Sequence, residues 1–390
     1  DIKFVFWAEM NYIPAWHINN QLLFTYEFVE TWGGGNLGCH EPMSDRLLRW
    51  SSVKILEDNP VRKVIHWHYV LCNPQYKVPM DNEGTQLPEV DEYWTFYPDG
   101  SGTRYIRYFP KLDTEFRESH EVAELIGIAG SSSNTIDHFD SPALTLFNLQ
   151  GRKIVTHPGP KFDFDSEINN WKQQIFVVHF KNEPDFYGVF SADPRFPDTY
   201  SGYKLEYQNT WHNTDQILIH WPVQKRPYTG PNGSTGLWKA EVAHACLASI
   251  DIHDGIEWID NFKVDKRGRK YRDWVMLVGA AEKKSEKDIQ NSTISWLDPG
   301  RVSDVSHGAK FEKIDHRNKS LLFSAQAVIP SLSFKFTPNL VGSALINPVI
   351  KIIGWGKAKP NSLYINDKKI ESTNYRFVIL NNKDSLIWLN

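Results

Sequence analysis

Residues 92–109 read EYWTFYPDGSGTRYIRYF, and this stretch decides the fold class. Aromatic and β-branched residues fill both of its arms, and Pro98-Asp99-Gly100-Ser101-Gly102 separates them. Gly and Asp are the residues that best tolerate the backbone angles of a tight turn. The stretch therefore predicts an antiparallel β-hairpin.

Segments of the same character recur on both sides of this hairpin. They are short, alternate apolar with polar residues and are bounded by Gly, Pro, Asn or Asp, whereas long helical apolar stripes are scarce. We therefore predict an all-β chain. The character of the sequence changes near residue 332, and we predict a large β domain at 1–331 and a small C-terminal β unit at 332–390.

Composition narrows the function. The 390 residues have a formal net charge of −4, and the 43 basic residues are scattered rather than gathered in a stripe, so we expect no nucleic-acid partner. No run of 18 apolar residues occurs, so we expect no membrane span. The 15 Trp residues exceed what core packing normally needs, and surplus Trp and Tyr often form surfaces that stack on sugar rings. The chain opens on Asp1 and enters a strand-like segment at once, which favours a mature chain that has lost a signal peptide.

Histidine and tryptophan stand side by side in two strand-like segments, VIHWHYVLC at 64–72 and QILIHWPV at 216–223. Side chains alternate between the faces of a strand, so His66 and His68 share one face while Trp67 and Tyr69 share the other. A further histidine, His244, lies in EVAHACLASI. Such histidines can be hydrogen-bonded structural residues, or they can be parts of a site.

A His-x-His strand also aims two imidazoles at one point, which suits a metal ion. His66 and His68 would be the first two ligands, and Glu41, Asp91 or His220 would complete the set. We therefore expect no required cofactor, and a structural divalent metal, Ca or Zn, as an option at this strand.

Arginine and tyrosine mark two further regions. The stretch GGGNLGCHEPMSDRLLRW at 33–50 places Glu41, Arg46 and Arg49 close behind flexible glycines. Arginine offers a forked pair of donors that suits a carboxylate or a sulfate, although a solvated charged loop has the same composition. On the hairpin, Tyr93, Arg104 and Tyr105 either form a groove for an acidic saccharide or pair across the strands.

These residue types match the chemistry of β-elimination better than that of hydrolysis. Elimination at a uronate requires a cation for the carboxylate, a base for the C5 proton and an acid for the leaving oxygen, and Arg, His and Tyr supply these groups near neutral pH. Hydrolysis of a glycoside requires two facing carboxylates. The 47 acidic residues offer so many pairs that none is informative.

Three segments together resemble a known family: CHEPMSDRLLRWSSVKILEDNPVRKVIHWHYVL at 39–71, DEYWTFYPDGSGTRYIRYFP at 91–110 and IHWPVQ at 219–224. Over about residues 5–250 the chain resembles the secreted polysaccharide lyases of marine and gut bacteria, most closely the ulvan lyases. The resemblance implies a large antiparallel β-sandwich of the supersandwich type. It also implies site positions, which are Glu41, Arg46, Arg49, His66, Tyr69, Tyr93, Arg104 and His220.

The leading hypothesis is a secreted or periplasmic lyase that cleaves an acidic, uronate-containing polysaccharide, sulfated or not, by β-elimination. Arg104 with Arg46 or Arg49 would bind the acid, and Glu41, Tyr105 and Trp221 would contact the sugars. The base would be His66, His68, His220 or His244, and the acid would be Tyr69 or Tyr93. The alternatives are a glycoside hydrolase with a carboxylate pair and a non-catalytic carbohydrate-binding module.

Overall fold

The computed structural model of the chain describes most of its residues. The described ranges are 2–32, 39–45, 47–73, 76–78, 87–110, 120–130, 133, 135–157, 166–196, 199, 204–208, 212–214, 225–229, 235–238, 243–253, 262–281, 286–326, 331–339, 344–356, 359–381 and 383–390.

The described residues form an all-β fold with large antiparallel sheets, as predicted from the sequence. In the first half of the chain the strands are β1 (Lys3–Phe6), β2 (Pro14–Asn19), β3 (Leu22–Thr25), β4 (Glu30–Trp32), β5 (Cys39–His40), β6 (Ser52–Asp58), β7 (Lys63–Val70), β8 (Glu89–Phe96), β9 (Ser101–Phe109), β10 (His120–Ala129), β11 (Phe139–Phe147), β12 (Lys153–Thr156), β13 (Gln173–Phe180), β14 (Asp185–Ser191) and β15 (Lys204–Gln208). In the second half they are β16 (His212–Thr214), β17 (Lys225–Thr229), β18 (Thr235–Trp238), β19 (Ala243–His253), β20 (Lys263–Val264), β21 (Lys270–Ala281), β22 (Gly300–Ser303), β23 (Ala309–Asp315), β24 (Ser320–Ala325), β25 (Lys335–Pro338), β26 (Val349–Ile353), β27 (Leu363–Ile365), β28 (Lys368–Ile370), β29 (Tyr375–Leu380) and β30 (Asp384–Leu389).

The single α-helix within the described ranges is α1 (Glu286–Leu297). It buries Ile289, Trp296 and Leu297 on one side. None of the segments that the structure describes forms a helix with the length and hydrophobicity that crossing a membrane requires.

Two large sheets carry most of the strands. The nine-stranded sheet has the order β1-β2-β3-β10-β19-β15, with β16 paired to β19 and the short strands β4 and β5 attached beside β10. The ten-stranded sheet has the order β12-β11-β13-β14-β21-β9-β8-β7-β6, with β20 paired to β21. Strands such as β13 (QQIFVVHF) and β21 (KYRDWVMLVGAA) are apolar on both faces, and nearly all of their described side chains are buried.

The predicted hairpin at 92–109 is confirmed as β8 and β9. The Tyr97 amide donates to the Ser101 carbonyl at 2.9 Å, and the Gly100 amide donates to the Tyr97 carbonyl at 3.1 Å. Gly100 adopts a φ of +76°, which a residue with a side chain rarely adopts. The Asp99 carboxylate accepts the Ser101 amide at 3.1 Å, so the turn residues satisfy their own backbone groups.

The chain forms two compact units that do not follow chain order. Unit 1 consists of residues 1–54, 66–92 and 106–274, and unit 2 of residues 55–65, 93–105 and 275–390. Segments of the hairpin region and residues 275–331 cluster with the C-terminal strands, and the domain boundary at residue 332 stays a prediction.

In unit 1 the two large sheets pack face to face through aromatic rings, which is a β-sandwich contact. Phe24 of β3 lies 5.8 Å from the Phe180 ring of β13 and 5.4 Å from the Phe186 ring of β14. The Trp16 ring lies 5.3 Å from Phe186, and the Tyr26 hydroxyl donates to the Tyr187 carbonyl at 2.8 Å. Aromatic side chains bury large areas, so this layer accounts for much of the stability of the unit.

In unit 2 the five-stranded sheet β23-β24-β26-β30-β29 has buried side chains on both faces. Its β24–β26 pair is parallel, whereas its other pairs are antiparallel. Alternation along β26 and β30 divides these side chains into two apolar clusters. One contains Val61, Tyr97, Val349, Leu386 and Trp388, and the other contains Leu321, Phe323, Ile350, Ile352 and Ile387.

Candidate functional site

The first candidate site is a pair of imidazoles on β7 that share one carboxylate of β8. Asp91 Oδ1 lies 2.8 Å from His66 Nε2 and 3.0 Å from His68 Nδ1. Trp67 and Tyr69 point to the opposite, fully buried face, so the predicted alternation along β7 is confirmed. We call His66, His68 and Asp91 the histidine–aspartate site.

Solvent reaches this site. The side chains of His66, His68 and Asp91 are 20%, 29% and 19% exposed. A carboxylate between two imidazoles fixes the ring orientations and favours N–H on the ring nitrogen that faces it. The site can therefore hold and transfer protons at a surface that a ligand can reach.

The electrostatics of the site follow from these contacts. The hydrogen bond that His68 donates to Asp91 raises the pKa of His68, whereas burial lowers it by less. Burial by itself would raise the pKa of Asp91, but the hydrogen bonds from His66 and His68 outweigh burial and hold that pKa well below its usual value. Asp91 is therefore a carboxylate at neutral pH, and His68 holds its proton to a higher pH than an ordinary histidine does.

A guanidinium interacts electrostatically with His68. Arg269 Nη1 donates to Glu89 Oε2 at 2.7 Å, Arg269 Nε donates to Asp265 Oδ2 at 2.9 Å, and the guanidinium lies 3.9 Å from the Phe109 ring centroid. The hydrogen bond to Asp91 raises the pKa of His68, and the charge of Arg269 opposes this shift without reversing it. The Arg269 side chain is 29% exposed.

A second half-exposed guanidinium belongs to Arg107 of β9, and its partner Asp273 lies on the neighbouring strand β21. Arg107 Nε donates to Asp273 Oδ1 at 2.9 Å, and its guanidinium lies 3.9 Å from the Tyr271 ring centroid. Arg107 lies on the Arg/Tyr-rich hairpin for which the sequence suggests a groove for an acidic saccharide, whereas Arg269 is not among the predicted site residues. No pattern within one segment marks Arg269, because only the strand order β21-β9-β8-β7 places the start of β21 in the same sheet as His66 and His68.

Two predicted tyrosines lie in different environments. Tyr69 is fully buried, and its hydroxyl donates to Glu92 Oε1 at 2.8 Å and accepts the Val29 amide at 2.9 Å. Burial therefore keeps Tyr69 from contacting an external polysaccharide. In unit 2, Tyr93 stacks on Tyr105 with ring centroids 5.5 Å apart, and the Arg317 guanidinium lies 4.2 Å from the Tyr105 centroid.

The predicted arginines also differ in exposure. Arg104 is fully buried, and its guanidinium lies 5.2 Å from the Trp94 ring centroid, so it does not reach a carboxylate in solution. Arg49 is exposed and lies 4.5 Å from the Tyr76 ring centroid. Arg46, His220 and Trp221 lie outside the described residues, and of His244 only the backbone in β19 is described. The roles assigned to these four residues stay predictions.

The second candidate site is a group of buried carboxylates in the nine-stranded sheet, which the sequence analysis did not single out. Oxygens of Glu27, Glu121 and Glu124 lie within 4.8 Å of one another, and we call these three residues the glutamate cluster. Strand register places Glu30 of β4 and Asp251 of β19 opposite Glu121 of β10. These residues come from four separate segments, so only the register brings them together.

Glu41 belongs to this second group rather than to the histidine–aspartate site. It is 6% exposed, its carboxylate accepts the Ser44 hydroxyl at 3.2 Å, and its charge raises the pKa of Glu27 and of Glu30. The predicted use of Glu41 as a partner of His66 and His68 in a metal site therefore has no support in its position. Within the described ranges, the glutamate cluster is the set of three ligand residues whose atoms converge, and His66 and His68 belong to no such set.

Comparison with known proteins assigns the chain to no family. No protein-family model matches the chain, and no curated protein matches its sequence.

Proposed function

We propose that the protein is a polysaccharide lyase that cleaves a uronate-containing, ulvan-like polysaccharide by β-elimination at the histidine–aspartate site. The observation that carries the proposal is the shared hydrogen bonding of two accessible imidazoles to Asp91 at 2.8 and 3.0 Å. The hydrogen bond to Asp91 raises the pKa of His68, which suits that imidazole to donate a proton. Elimination requires both a base and an acid, and this pair supplies both.

The roles follow from the hydrogen bonds. When His66 donates its Nε2 proton to Asp91, its Nδ1 is the basic nitrogen, so His66 is the base that takes the C5 proton of the uronate. His68, whose pKa Asp91 raises, is the acid. The electrons of the C5–H bond form the C4–C5 double bond, the C4–O bond breaks, and the leaving oxygen takes the proton of His68.

The uronate carboxylate must be neutralised before C5–H becomes acidic, and Arg269 is the group that supports this step. It is half-exposed, it is close enough to His68 to affect its pKa, and its charge persists at all relevant pH values. Arg107 supplies a second guanidinium for the same acidic chain. This assignment replaces Arg104, whose guanidinium is buried.

The proposal includes an acidic polysaccharide or oligosaccharide as ligand and a secreted or periplasmic location. These follow from the same substrate class and from the resemblance of residues 39–71 and 91–110 to ulvan lyases. The lyase reaction itself requires no cofactor in this scheme, because side chains provide the base, the acid and the cation.

Replacement of His68 or His66 by Gln tests the proposal. We expect either change to lower the appearance of unsaturated uronate, followed by its ultraviolet absorbance on a panel that includes ulvan, by about 10²-fold or more. The matched control is His179→Gln. His179 forms the same type of pair with Asp185 at 3.0 Å and is equally exposed at 20%, but it lies on β13.

Full turnover by both His66→Gln and His68→Gln would remove the histidine–aspartate site from the mechanism. Reducing ends without unsaturated product would instead favour the glycoside hydrolase with a carboxylate pair. Binding to the polysaccharide without any product would favour the carbohydrate-binding module.

A further inference from the structure

An irregularity in β10 brings two residues of the glutamate cluster, Glu121 and Glu124, to the same face of the strand. Residues three apart in a regular strand point to opposite faces, so Glu121 and Glu124 would normally diverge. The register with β19 shifts between Glu121 and Ala123, which inserts one extra residue into β10. Such a bulge resets the alternation and turns Glu124 to the side of Glu121.

The third member comes from the segment between β3 and β4. Glu27 has a φ of +60°, an uncommon conformation for a residue with a side chain, and the Thr25 hydroxyl accepts its amide at 2.7 Å. The Glu124 amide donates to the Tyr26 carbonyl at 3.2 Å and holds this segment against β10. The backbone therefore fixes all three carboxylates toward one point.

Two of these carboxylates are buried, and each has one oxygen without a hydrogen bond. Glu27 is 3% exposed and Glu121 is 5% exposed, and within the described part of the chain Glu27 Oε2 and Glu121 Oε1 accept no hydrogen bond. A buried carboxylate without a partner costs several kcal/mol unless a proton or a cation compensates it. The arrangement therefore favours a compensating proton or cation between the carboxylates.

The negative charges around the glutamate cluster strengthen the case for a compensating proton or cation. Burial raises the pKa of Glu27 and of Glu121, and the charges of Glu124 and Glu30 raise both further. Glu30 is itself buried and shares a hydrogen bond with Glu41, so these two can hold one proton between them. Glu27 and Glu124 likewise share a side-chain hydrogen bond, but among the described residues Glu27 Oε2 and Glu121 Oε1 still accept none.

The ligand type and the burial of the site favour one cation. Carboxylate oxygens are ligands for the hard cations Ca²⁺ and Mg²⁺, whereas Zn²⁺ prefers imidazole and thiolate. The oxygens of the three glutamates lie within 4.8 Å of one another, close enough for one ion to contact all three. Mg²⁺ keeps several of its waters and demands octahedral geometry, whereas Ca²⁺ accepts flexible carboxylate cages, so two carboxylates as buried as Glu27 and Glu121 suit Ca²⁺ better.

We propose that Glu27, Glu121 and Glu124 bind a Ca²⁺ ion that ties the β3–β4 segment to the central strand β10. The site is separate from the histidine–aspartate site, and the proposal does not depend on the proposed lyase activity.

Calcium binding by the full chain tests this proposal without any activity assay. After removal of metal with EDTA, we expect CaCl₂ to bind in calorimetry with one dominant site and to raise the thermal midpoint, and MgCl₂ to bind at least about 10-fold more weakly. Glu121→Gln and Glu27→Gln should each weaken calcium binding about 10-fold or more. Glu9→Gln, which changes an exposed glutamate of unit 1, should leave it unchanged.

The variants remain informative about folding. Glutamine resembles a protonated glutamate in shape and removes a repelling charge, so in EDTA we expect Glu121→Gln to melt no lower than the wild type. Absence of calcium binding by the folded wild type would overturn the proposal. So would equal calcium affinity in the wild type, Glu27→Gln and Glu121→Gln, because the ion would then bind elsewhere on the chain.

Discussion

At the scale of single residues, Asp91 holds both imidazoles of the histidine–aspartate site and raises the pKa of one of them, His68. It is the common acceptor for His66 and His68, and the two hydrogen bonds hold its own pKa low. Without a partner carboxylate, two neighbouring imidazoles would each lose their protons more readily as they became buried. One carboxylate therefore allows the acid and the base to coexist.

Replacement of Asp91 by Asn should lower the pKa of His68. The carboxylate favours the charged imidazole, so its loss makes His68 give up its proton at a lower pH. The stabilisation that this pair adds is present below the pKa of an unfolded histidine and is lost as pH rises through the raised pKa of His68. An NMR titration of the histidine ring protons measures the change.

Asp185→Asn is the control for that titration, since it removes the partner of His179 and leaves Asp91 in place. An unchanged pKa of His68 in Asp91→Asn, with an intact fold, would show that Asp91 does not set its protonation. In that case the acid role of His68 would lose its physical basis.

At the scale of elements, the hairpin of β8 and β9 depends on a glycine next to its turn. A Cβ at Gly102 would overlap the Thr95 carbonyl oxygen and lie 2.7 Å from Phe96 Cδ1. The neighbouring backbone cannot move without disturbing the ladder between the two strands.

Gly102→Ala should therefore lower the free energy of unfolding by about 1–3 kcal/mol, which urea denaturation measures. The control is Gly130→Ala, because the atom nearest to a Cβ at Gly130 lies 3.9 Å away. Equal stability of the two variants would mean that the β8–β9 pair does not approach as closely as described.

Local chemistry explains which elements the sequence could predict. The β8–β9 hairpin, β7 and β13 follow from alternation and turn residues, because these signals lie within one segment of chain. The strand β10 is less regular, since Glu121, Glu124 and Gly127 interrupt its apolar pattern and a bulge changes its register. The helix α1 has only a weak apolar stripe and was not predicted.

The same reasoning separates the two sites. His66 and His68 lie on one strand, so alternation predicts that they share a face. Asp91 is one of the residues predicted to complete a metal site with them. The glutamate cluster joins residues 27, 121 and 124 through strand register and a bulge. Sequence pattern does not determine register between distant strands, so neither this cluster nor the approach of Arg269 to His68 could be predicted.

At the scale of the whole molecule, the described chemistry lies in unit 1. Both the histidine–aspartate site and the glutamate cluster belong to it; the first lies on β7 and β8, and the second on β10 and the segment between β3 and β4. The aromatic layer between the sheets keeps those strands in place, with Phe24 fully buried among Tyr26, Phe180 and Phe186.

Phe24→Ala should lower the stability of the protein by about 3–5 kcal/mol, because it removes buried apolar area and leaves a cavity. Leu47→Ala, at a side chain that is 58% exposed, should change stability by less than about 0.5 kcal/mol. Chemical denaturation followed by tryptophan fluorescence measures both. A loss below about 1 kcal/mol for Phe24→Ala would contradict the packing of the two sheets through this ring.

The central claim is that bond cleavage occurs by elimination, and the mass of the product tests it most directly. The wild-type protein, incubated with ulvan and analysed by mass spectrometry, should release oligosaccharides that begin with an unsaturated uronate and lack the elements of one water relative to hydrolysis products; only the fragment from the original non-reducing end of the polymer should keep the hydrolytic mass. Internal fragments that carry the added water and no unsaturated uronate would contradict elimination, and an intact polymer after prolonged incubation with every uronate polysaccharide of the panel would contradict catalysis.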